Sequence, residues 1–481
     1  VHSFEQALAA APAKPFLRGD LLHGRMRLCD WRHFDADLQA LQADLAAGAP
    51  ACTPFVLLPA LDRPDVQRLA AERMAGLLYP PRDELGPIAP RPDDGRLRIA
   101  YLSGDLREHP VASLTAQLIE LHDRRRFEVV ALSHGPATGD PMQRRLQAAF
   151  DDWIDVAAMA DADVARLARA RRIDVVVDLA GYTSGCRPHI LALRAAPVQV
   201  AYLGYLGTLG APWIDYLLVD RHLVPPAERE GYRERLAVLP SYQVNDGLRP
   251  IGARRFTRAE LGLPATGFVF CCLNNAYKIT PAVFDTWMRI LAAVPGSVLM
   301  LYAENPWMPA NLRREAVARG VDERRLVFVE RLPMADYLAR YRVADLFLDT
   351  LPYNAGTTAS DALWAGLPVL TCSGRSLAAR VAGSLLQALG LPELVTDSLA
   401  AYEAQAVALA TDAPRLQALR QRLQAARAHS PLFDAARFTR HLEAAFEAMV
   451  ARWRAGQPPA DLVVGDDGGC GPRPASGGGA Q

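Results

Sequence analysis

The feature that most constrains the fold is an alternation of short apolar runs with helical patterns, which occurs twice along the chain. In the first set, "LRIAYLSGD" (97–105) and "IDVVVDLAG" are separated by helical patterns such as "VASLTAQLIELHDR". The second set starts at "FVFCCLNN" (268–275) and continues through "SVLMLYAE", "DLFLDT" and "LPVLTCSG". Because strands that alternate with helices pair in parallel, the sequence predicts an α/β protein with two doubly wound sheets. Ligands bind at the carboxyl ends of such strands, so we expect a cleft there.

Composition divides the chain into four predicted segments. Residues 1–90 are helical by pattern and include "FEQALAAAPAKPFL", which looks like the last helix of a tetratricopeptide array. The linker "YPPRDELGPIAPRPDDGR" precedes a first Rossmann-like domain at 95–252. A second Rossmann-like domain with closing helices follows at 253–455. The Gly-rich and Pro-rich tail, 456–481, is predicted to be disordered.

Charge and cysteine content exclude several classes of protein. Lys and Arg together number 53, as do Asp and Glu, so nothing indicates a nucleic acid or an anionic membrane as partner. No apolar run approaches the roughly 18 residues of a membrane span, and the N-terminus lacks the pattern of a signal peptide. The seven cysteines show neither C-x-x-C nor zinc-ligand spacing, which indicates reduced thiols and a cytoplasmic location.

The stretch "DLFLDTLPYNAGTTASDALWAGLPVL" (345–370) leaves two interpretations open. Thr358 followed by Asp361 fits a capping box, in which the threonine oxygen accepts a free backbone N–H at the helix start. Alternatively, the N–H groups freed by "NAGTT" bind an anion such as a diphosphate without a metal. Capping accounts for Thr358 and Asp361 but requires neither Gly356 nor the preceding threonine, Thr357.

A second candidate is Lys278, which follows a predicted strand that ends at Asn274 and Asn275. Lys278 and Lys14 are the only lysines among the 53 basic residues, and all the others are arginines. A compact ammonium suits a phosphate as a point charge, so the retained lysine favours a role in an anion site. A solvated lysine in an ordinary strand–loop–helix junction is the alternative.

His109 and several glycines also lie at predicted strand ends. His109 directly precedes Pro110 at a predicted helix start, where it serves either as a helix cap or as a site residue. The glycines form either tight turns or a backbone-lined pocket wall; they are Gly181, Gly204, Gly207 and Gly210. "DADV" (161–164) has the D-x-D form of metal-dependent sugar transferases but is predicted to open a helix. No phosphate-binding loop of the ATPase or dinucleotide type occurs.

Taken together, these residues resemble the O-linked N-acetylglucosamine transferase / SPINDLY family of protein glycosyltransferases. The resemblance runs from about Arg96 to Asp412. It includes "LRIAYLSGDLREHP", "DLAGYTSGCRPHILALRAAPVQVAYLGYLGTLGA", "CCLNNAYKITP", "RLPMADYLARYRVADLFLDTLPYNAGTTASDALWAGLPVLT" and "LAARVAGSLLQALGL". The resemblance implies a GT-B fold: two doubly wound Rossmann-like domains facing a cleft, here preceded by a short all-α segment. It also implies a bacterial member of the family that lacks nearly all tetratricopeptide repeats.

The resemblance implies an inverting, metal-independent transferase that moves N-acetylglucosamine from UDP-GlcNAc to Ser or Thr of a protein. Nucleotide sugar and protein acceptor are then the partners, with no cofactor, nucleic acid or membrane. His109 and Lys278 are implied as catalytic residues. The implied donor-binding residues are Asn275 and Lys278 at the diphosphate, Gly356, Thr357 and Thr358 at the phosphates, Arg340 and the backbone near Leu332 at the base, and Asp361 at the ribose.

The chemistry of transfer agrees with these roles but leaves one group unassigned. Breaking a sugar–phosphate bond leaves a diphosphate with growing negative charge, which Lys278 and the N–H groups of 356–358 can stabilise. The acceptor hydroxyl must also lose a proton. His109 has a suitable pKa range for a general base, yet it could equally position the acceptor.

Two positions depart from the family pattern and keep other functions open. Gly356 and Tyr337 stand where animal members have histidines. The resemblance favours UDP-GlcNAc as the donor, and the two departures keep GDP-fucose and UDP-glucose open as alternatives. A non-catalytic binding or scaffold protein, and a transferase acting on a small molecule or glycan, are further alternatives.

Overall fold

The computed structural model describes residues 1–90, 95–427 and 429–473, and the chain forms two compact units. One unit combines residues 1–70 with 248–433, and we call it the six-strand unit after its sheet. The other combines residues 71–247 with 434–473, and we call it the nine-strand unit.

Five helices occupy most of residues 1–78, and residues 79–90, also within the segment predicted to be helical, contain none. The helices are α1 (His2–Ala10), α2 (Leu17–Arg27), α3 (Phe34–Ala46), α4 (Pro54–Ala60) and α5 (Pro64–Leu78). Helices α4 and α5 begin at proline, whose fixed φ and missing N–H suit the first helical position. Helices α2 to α4 share a small core that includes Leu22, Leu41 and Leu57.

The nine-strand unit contains the first set of alternating elements. They are β1 (Leu97–Ser103), α6 (Pro110–Glu120), β2 (Phe127–Ser133), α7 (Pro141–Ala149), β3 (Asp152–Asp155), α8 (Asp161–Ala170), β4 (Val175–Asp178), α9 (Pro188–Ala192), β5 (Val198–Ala201), β6 (Tyr216–Asp220) and β7 (Arg235–Leu239). The "DADV" stretch begins helix α8, as the sequence predicted.

The six-strand unit contains the second set. Its elements are β8 (Val269–Cys272), α10 (Pro281–Ala293), β9 (Val298–Tyr302), α11 (Met308–Ala318), β10 (Leu326–Val329), α12 (Met334–Arg340), β11 (Leu346–Leu348), α13 (Thr357–Trp364), β12 (Val369–Cys372), α14 (Val381–Ala388), β13 (Val395–Thr396), α15 (Leu399–Thr411) and α16 (Ala413–Ala426). The chain then returns to the nine-strand unit with α17 (Ala435–Arg454), β14 (Leu462–Val464) and β15 (Cys470–Pro472).

Both sheets have the strand order of a doubly wound fold. The larger sheet runs β15-β14-β7-β6-β5-β4-β1-β2-β3, and the smaller runs β10-β9-β8-β11-β12-β13. All the strand pairs are parallel except β14–β15. The order reverses between β1 and β4 in one sheet and between β8 and β11 in the other, and these reversals are where ligands bind in such folds.

The predicted boundary between the domains differs from the structure at both ends of the chain. Residues 1–70 group with the six-strand unit, and α17, which we expected to close the second domain, belongs to the nine-strand unit. Helix α17 buries Phe438 and Phe446 there, and its Glu443 carboxylate lies 3.0 Å from His122 Nδ1 and accepts the Asp123 N–H at 2.8 Å. This apolar and polar burial fixes the helix to the first sheet.

The predicted disorder of the tail is wrong for its first part. Strand β14 pairs with β7, and β15 pairs with β14. Just before β14, the Asp461 carboxylate accepts two N–H groups of Arg229, at 2.8 and 2.9 Å. A short apolar run with one ion pair thus outweighs the surrounding glycines and prolines. Residues 474–481 lie outside the described residues.

Two glycines of the nine-strand unit test how closely the backbone packs around them. A Cβ at Gly204 lies 2.0 Å from the Leu179 carbonyl oxygen, so Gly204→Ala must displace backbone. We expect that change to lower the free energy of unfolding by more than about 2 kcal/mol. A Cβ at Gly76, inside α5, meets no described atom within 4 Å, so Gly76→Ala should raise it by up to about 1 kcal/mol. Urea denaturation, monitored by circular dichroism, measures the free energy of unfolding of both variants. Equal changes in the two variants contradict the close contact at Gly204.

Candidate active site

Lys278 lies at the carboxyl edge of the six-strand sheet, in the loop between β8 and α10. A single 3-10 turn, Ala276–Lys278, carries it, and Thr280 then caps α10. The lysine is only 8% exposed. Its Nζ donates to the Asn354 carbonyl oxygen at 3.0 Å and lies 3.8 Å from the centre of the Tyr353 ring. The predicted surface-lysine alternative is therefore wrong, because the ammonium is buried against the loop that follows β11.

Burial and a nearby carboxylate shift the pKa of Lys278 in opposite directions. Burial, which disfavours the charged form, lowers the pKa of Lys278 to about 8, and the negative charge of Asp349 partly offsets this. Burial also raises the pKa of Asp349 to about 6, and its hydrogen bonds and Lys278 oppose that rise. An ammonium that is held in low dielectric interacts strongly with any anion that reaches it.

Asp349 organises the loop that leads from β11 to α13. One carboxylate oxygen accepts the N–H groups of Thr350 and Ala355, each at 2.7 Å, and the other accepts the Thr371 hydroxyl at 2.7 Å. The sequence analysis did not select this residue. Its only signal was an acidic residue at the end of a buried strand, "DLFLDT".

The start of α13 is not a capping box, so that interpretation of Thr358 and Asp361 is wrong. The N-cap residue is Gly356, no side chain caps the helix, and Thr357 is already its first residue. Gly356, Thr357 and Thr358 are half-buried. An uncapped helix start with partial access to solvent can accept an anion on its N–H groups, which favours the second interpretation.

Asp361 is buried in an ion pair with Arg249 rather than placed as a cap. Arg249 Nη1 donates to Asp361 Oδ1 at 2.6 Å, and the two side chains are 3% and 5% exposed. Burial raises the pKa of Asp361, and Arg249 opposes that rise. Arg249 had no signal in the sequence. A buried pair of this kind fixes the direction of the carboxylate on α13.

Arg340 is a buried guanidinium at the end of α12 and is 1% exposed. Its Nη1 donates to the Glu330 carbonyl oxygen at 2.6 Å, while its Nε has no hydrogen-bond partner among the described residues. Burial lowers the pKa of Arg340. Leu332, whose backbone is predicted to contact the base, is half-buried in the loop before α12. A buried donor without a partner suits a ligand, because such groups are costly when unsatisfied.

Two tyrosines connect α12 to α13. The hydroxyl groups of Tyr337 and Tyr341 are 2.6 Å apart, and the Tyr341 hydroxyl donates to the Thr358 carbonyl oxygen at 3.4 Å. The Arg340 guanidinium lies 5.5 Å from the centre of the Tyr337 ring. The predicted base-binding and phosphate-binding residues are thus joined by a short series of contacts, and Tyr337 takes part in it.

The two asparagines after β8 occupy different environments. Asn274 is buried and donates to the Thr350 hydroxyl at 2.8 Å, and its Oδ1 has no partner among the described residues. Asn275, the residue predicted to contact the diphosphate, is exposed and precedes the 3-10 turn.

In the nine-strand unit, His109 is the N-cap of α6, one of the two roles that the sequence left open. Its Nδ1 accepts the Val111 N–H at 3.3 Å, so in the neutral ring the hydrogen lies on Nε2. Asp105 Oδ2 is 3.6 Å from Nδ1, beyond hydrogen-bond distance. Burial lowers the pKa of His109, although Asp105 opposes this, which favours the neutral ring. A neutral ring of this tautomer donates from Nε2.

Gly181 and Gly204, after β4 and β5, are packing residues. Gly181 has φ +55°, and a Cβ there meets Tyr205 at 2.4 Å. Gly204 approaches the Leu179 carbonyl, as described above. Between them, Leu203 has φ +72° at the carboxyl end of β5, a conformation that a leucine rarely adopts. Strain of this kind is concentrated at functional sites, and the sequence alone gave no sign of it.

Comparison with known proteins assigns the family. The model of glycosyl transferase family 41 matches residues 87–249 and 250–442. The chain belongs to glycosyl transferase family 41. This confirms the resemblance drawn from the sequence.

Individual relatives agree with the assignment to family 41. The probable UDP-N-acetylglucosamine–peptide N-acetylglucosaminyltransferase SEC of Arabidopsis thaliana is 36% identical over 378 residues, covering 77% of this chain and 38% of the relative. The SPINDLY homologue of Oryza sativa subsp. japonica is 33% identical over 392 residues, covering 77% and 41%. The chain therefore spans about two fifths of these curated relatives.

A solved structure supports the fold. An O-GlcNAc transferase mutant of Thermobaculum terrenum matches with a TM-score of 0.80 and 33% identity, covering 94% of this chain and 86% of that one. The match confirms the predicted GT-B fold class.

Three further observations concern metals, membranes and thiols. Within the described ranges, no group of three or more His, Cys, Asp and Glu side chains is placed to hold a metal ion. No helix there combines the length and apolar character needed to cross a membrane. All seven cysteines are free thiols. The cytoplasmic location predicted from the cysteine pattern stays a prediction.

The presence of only two lysines makes the pKa of Lys278 directly measurable. Protein that contains lysine labelled with ¹³C at Cε gives two lysine NMR signals. The Lys14→Arg variant retains only the signal of Lys278, which assigns both. We expect Lys278 to titrate near pH 8, below the usual pKa of a lysine, because burial disfavours its charged form. Titration of Lys278 at the usual pH of a lysine contradicts its buried position.

The tautomer of His109 is a second measurable consequence. Long-range ¹⁵N–¹H spectra distinguish a protonated from an unprotonated ring nitrogen, and His109→Gln assigns the signal. We expect Nδ1 to be unprotonated and Nε2 protonated at neutral pH, because the Val111 N–H donates to Nδ1. A hydrogen on Nδ1 contradicts the cap geometry.

Proposed function

We propose that the chain is an inverting, metal-independent glycosyltransferase that moves N-acetylglucosamine from UDP-GlcNAc to Ser or Thr hydroxyls of a protein acceptor. The observation that carries this proposal is the buried ammonium of Lys278, bonded to the loop that leads into the uncapped start of α13. A cation and free N–H groups in the same part of the six-strand unit match the needs of a diphosphate.

The proposed step forms one bond and breaks one. The acceptor oxygen bonds to the anomeric carbon, the bond from that carbon to the diphosphate oxygen breaks, and the acceptor proton is lost. Negative charge grows on the leaving diphosphate, where Lys278 and the N–H groups of Gly356 to Thr358 stabilise it. These groups are already in place in the protein, so little reorganisation is needed during the reaction.

We assign the remaining donor contacts by the geometry of the six-strand unit. Arg340, with its unpartnered Nε, and the backbone near Leu332 bind the base. Asp361, oriented by Arg249, accepts a ribose hydroxyl. Asn275 is exposed before Lys278 and can reach the diphosphate.

His109 is proposed to donate a hydrogen bond from Nε2 to a substrate hydroxyl rather than to act as the general base. A base must present an unprotonated nitrogen, and the helix cap keeps Nδ1 engaged while Nε2 carries the hydrogen. The relatives are named as peptide N-acetylglucosaminyltransferases, and this supports a protein acceptor.

Nucleotide binding in the presence of EDTA tests the donor part of the proposal. We expect UDP and UDP-GlcNAc to bind the parent and to raise its melting temperature, whereas GDP and GDP-fucose do not. Lys278→Ala should abolish the effect, because it removes the buried cation at the diphosphate. Lys14→Ala, at the only other lysine, is the matched control and should behave as the parent. Loss of UDP binding with EDTA contradicts a metal-free site, and preference for GDP-fucose favours an O-fucosyltransferase.

Two substitutions at His109 separate its possible roles in transfer. Glutamine retains an N–H donor, whereas alanine does not. If His109 donates a hydrogen bond, His109→Gln should keep about 5- to 30-fold more kcat than His109→Ala, since a hydrogen bond to substrate is worth about 1 to 2 kcal/mol. The measurement is transfer from UDP-GlcNAc to acceptor peptides, followed by mass spectrometry. Equal loss in both variants indicates a base and overturns the assignment.

A further inference from the structure

The helices near the N-terminus contact the same loops that carry the proposed diphosphate site. We call residues 17–62 the helical segment; they include α2, α3 and α4 and belong to the six-strand unit. The segment contacts the loop after β8, which carries Lys278, and the loop after β12, at 374–379. These two loops lie at the carboxyl edge of the sheet on either side of β11.

The first contact is a group of aromatic rings around the turn of Lys278. The ring centre of Tyr277 lies 5.1 Å from His23, 5.8 Å from Phe55 and 6.2 Å from Tyr353. Phe55 also lies 6.3 Å from Tyr353, whose face receives the Lys278 ammonium. Two rings of the helical segment thus pack against the residue before Lys278 and against the ring beneath its charge.

Backbone contacts hold the same turn. Arg27 Nη2 donates to Glu304 Oε1 at 3.0 Å, and Glu304 Oε2 accepts the Ala276 N–H at 2.7 Å. The Cys29 thiol lies 3.7 Å from the Ala276 carbonyl oxygen. The first residue of the turn is therefore held from both its N–H, through Glu304 and Arg27 of α2, and its carbonyl group, by Cys29 just after α2.

The second contact is made by Asp62, just after α4. Its two carboxylate oxygens accept the N–H groups of Arg375 and Ser376, each at 2.7 Å. A Cβ on Gly374 lies 2.2 Å from Asp62 Oδ2, so the glycine leaves room for the carboxylate. Charge-assisted bonds of this kind are about twice as strong as neutral ones, so Asp62 fixes this loop firmly.

The loop held by Asp62 reaches Lys278 through one residue. The Asn354 N–H donates to the Ala378 carbonyl oxygen at 2.8 Å, and the Asn354 carbonyl oxygen accepts the Lys278 ammonium at 3.0 Å. Asp62, the loop at 374–379, Asn354 and Lys278 therefore form a continuous series of hydrogen-bonded groups.

We propose that the helical segment is a structural part of the diphosphate site and that Asp62 and Phe55 are positioning residues for Lys278. Neither residue needs to touch the ligand. Asp62 fixes the position of the Asn354 carbonyl, which binds the ammonium, through the loop at 374–379. Phe55 packs against the rings of Tyr277 and Tyr353. Only the identity of the ligand, a nucleoside diphosphate, rests on the proposed function.

The test uses the whole chain, with a matched control for each variant. Asp62→Ala is compared with Asp65→Ala, because Asp65 is an exposed acid nearby that pairs with Arg63. Phe55→Ala is compared with Leu45→Ala, which truncates a buried side chain in the core of the same segment. Circular dichroism confirms that each variant is folded at the temperature used.

Two quantities are measured in each variant: the Kd of UDP, and the pH at which the Cε signal of Lys278 titrates. We expect Asp62→Ala and Phe55→Ala to raise the Kd about tenfold, the size of effect that loss of one charge-assisted bond produces. Both should also raise the midpoint at which Lys278 titrates, because a displaced ammonium becomes more hydrated. The two controls should change neither quantity.

The outcomes separate the positioning role from a general loss of stability. Unchanged Kd and unchanged midpoint in Asp62→Ala and Phe55→Ala overturn the proposal, as do equal shifts in Leu45→Ala. If the parent binds neither UDP nor GDP, the proposed function fails. The Lys278 midpoint then still decides the positioning role, since it requires no ligand.

Discussion

The burial of one ammonium group near one carboxylate group sets the geometry of the strand ends in the six-strand unit. Lys278 and Asp349 both lie at the carboxyl edge of the sheet, after β8 and β11, the strands between which the order reverses. A buried charge is stable only when other groups compensate it. The loop after β11 places two N–H groups on Asp349 and one carbonyl on Lys278, and Thr371 of β12 adds a hydroxyl on Asp349.

The same strand order occurs twice, and it explains why the predicted site residues are found where they are. In each sheet the first strand is an interior strand next to the reversal, so the loops on either side of the reversal carry residues that can meet a ligand. Lys278 and the start of α13 occupy these loops in one unit, and His109 occupies the corresponding loop after β1 in the other. Membership in glycosyl transferase family 41 is consistent with this use of the fold.

Much of the fold could be predicted because it depends on local patterns. Alternation of strands and helices is visible residue by residue, and it predicted both sheets. Lys278, Thr357 and Thr358 were selected because they follow strands, and parallel strands end at one edge. Long-range pairs could not be predicted in this way. Arg249 lies 112 residues before Asp361, and nothing near either residue indicates the pair.

Two predictions failed because a local pattern had a competing explanation. The capping box at Thr358 is absent, since Gly356 occupies the N-cap position and the threonines begin the helix. The tail at 457–473 forms β14 and β15, since a single apolar run can extend an existing sheet edge despite the glycines around it. Both outcomes depend on neighbours that are distant in sequence or on backbone conformation, which composition does not record.

The central claim is that Asp349 keeps the buried ammonium of Lys278 charged so that it can bind a diphosphate. The most direct test is the affinity for UDP as a function of pH, in the parent and in Asp349→Asn. In the parent, affinity should fall as the pH rises through about 8, because Lys278 then loses its proton. Without the carboxylate charge, the pKa of Lys278 drops further, so the fall should begin at a lower pH. A fall that begins at the same or a higher pH in Asp349→Asn contradicts the account.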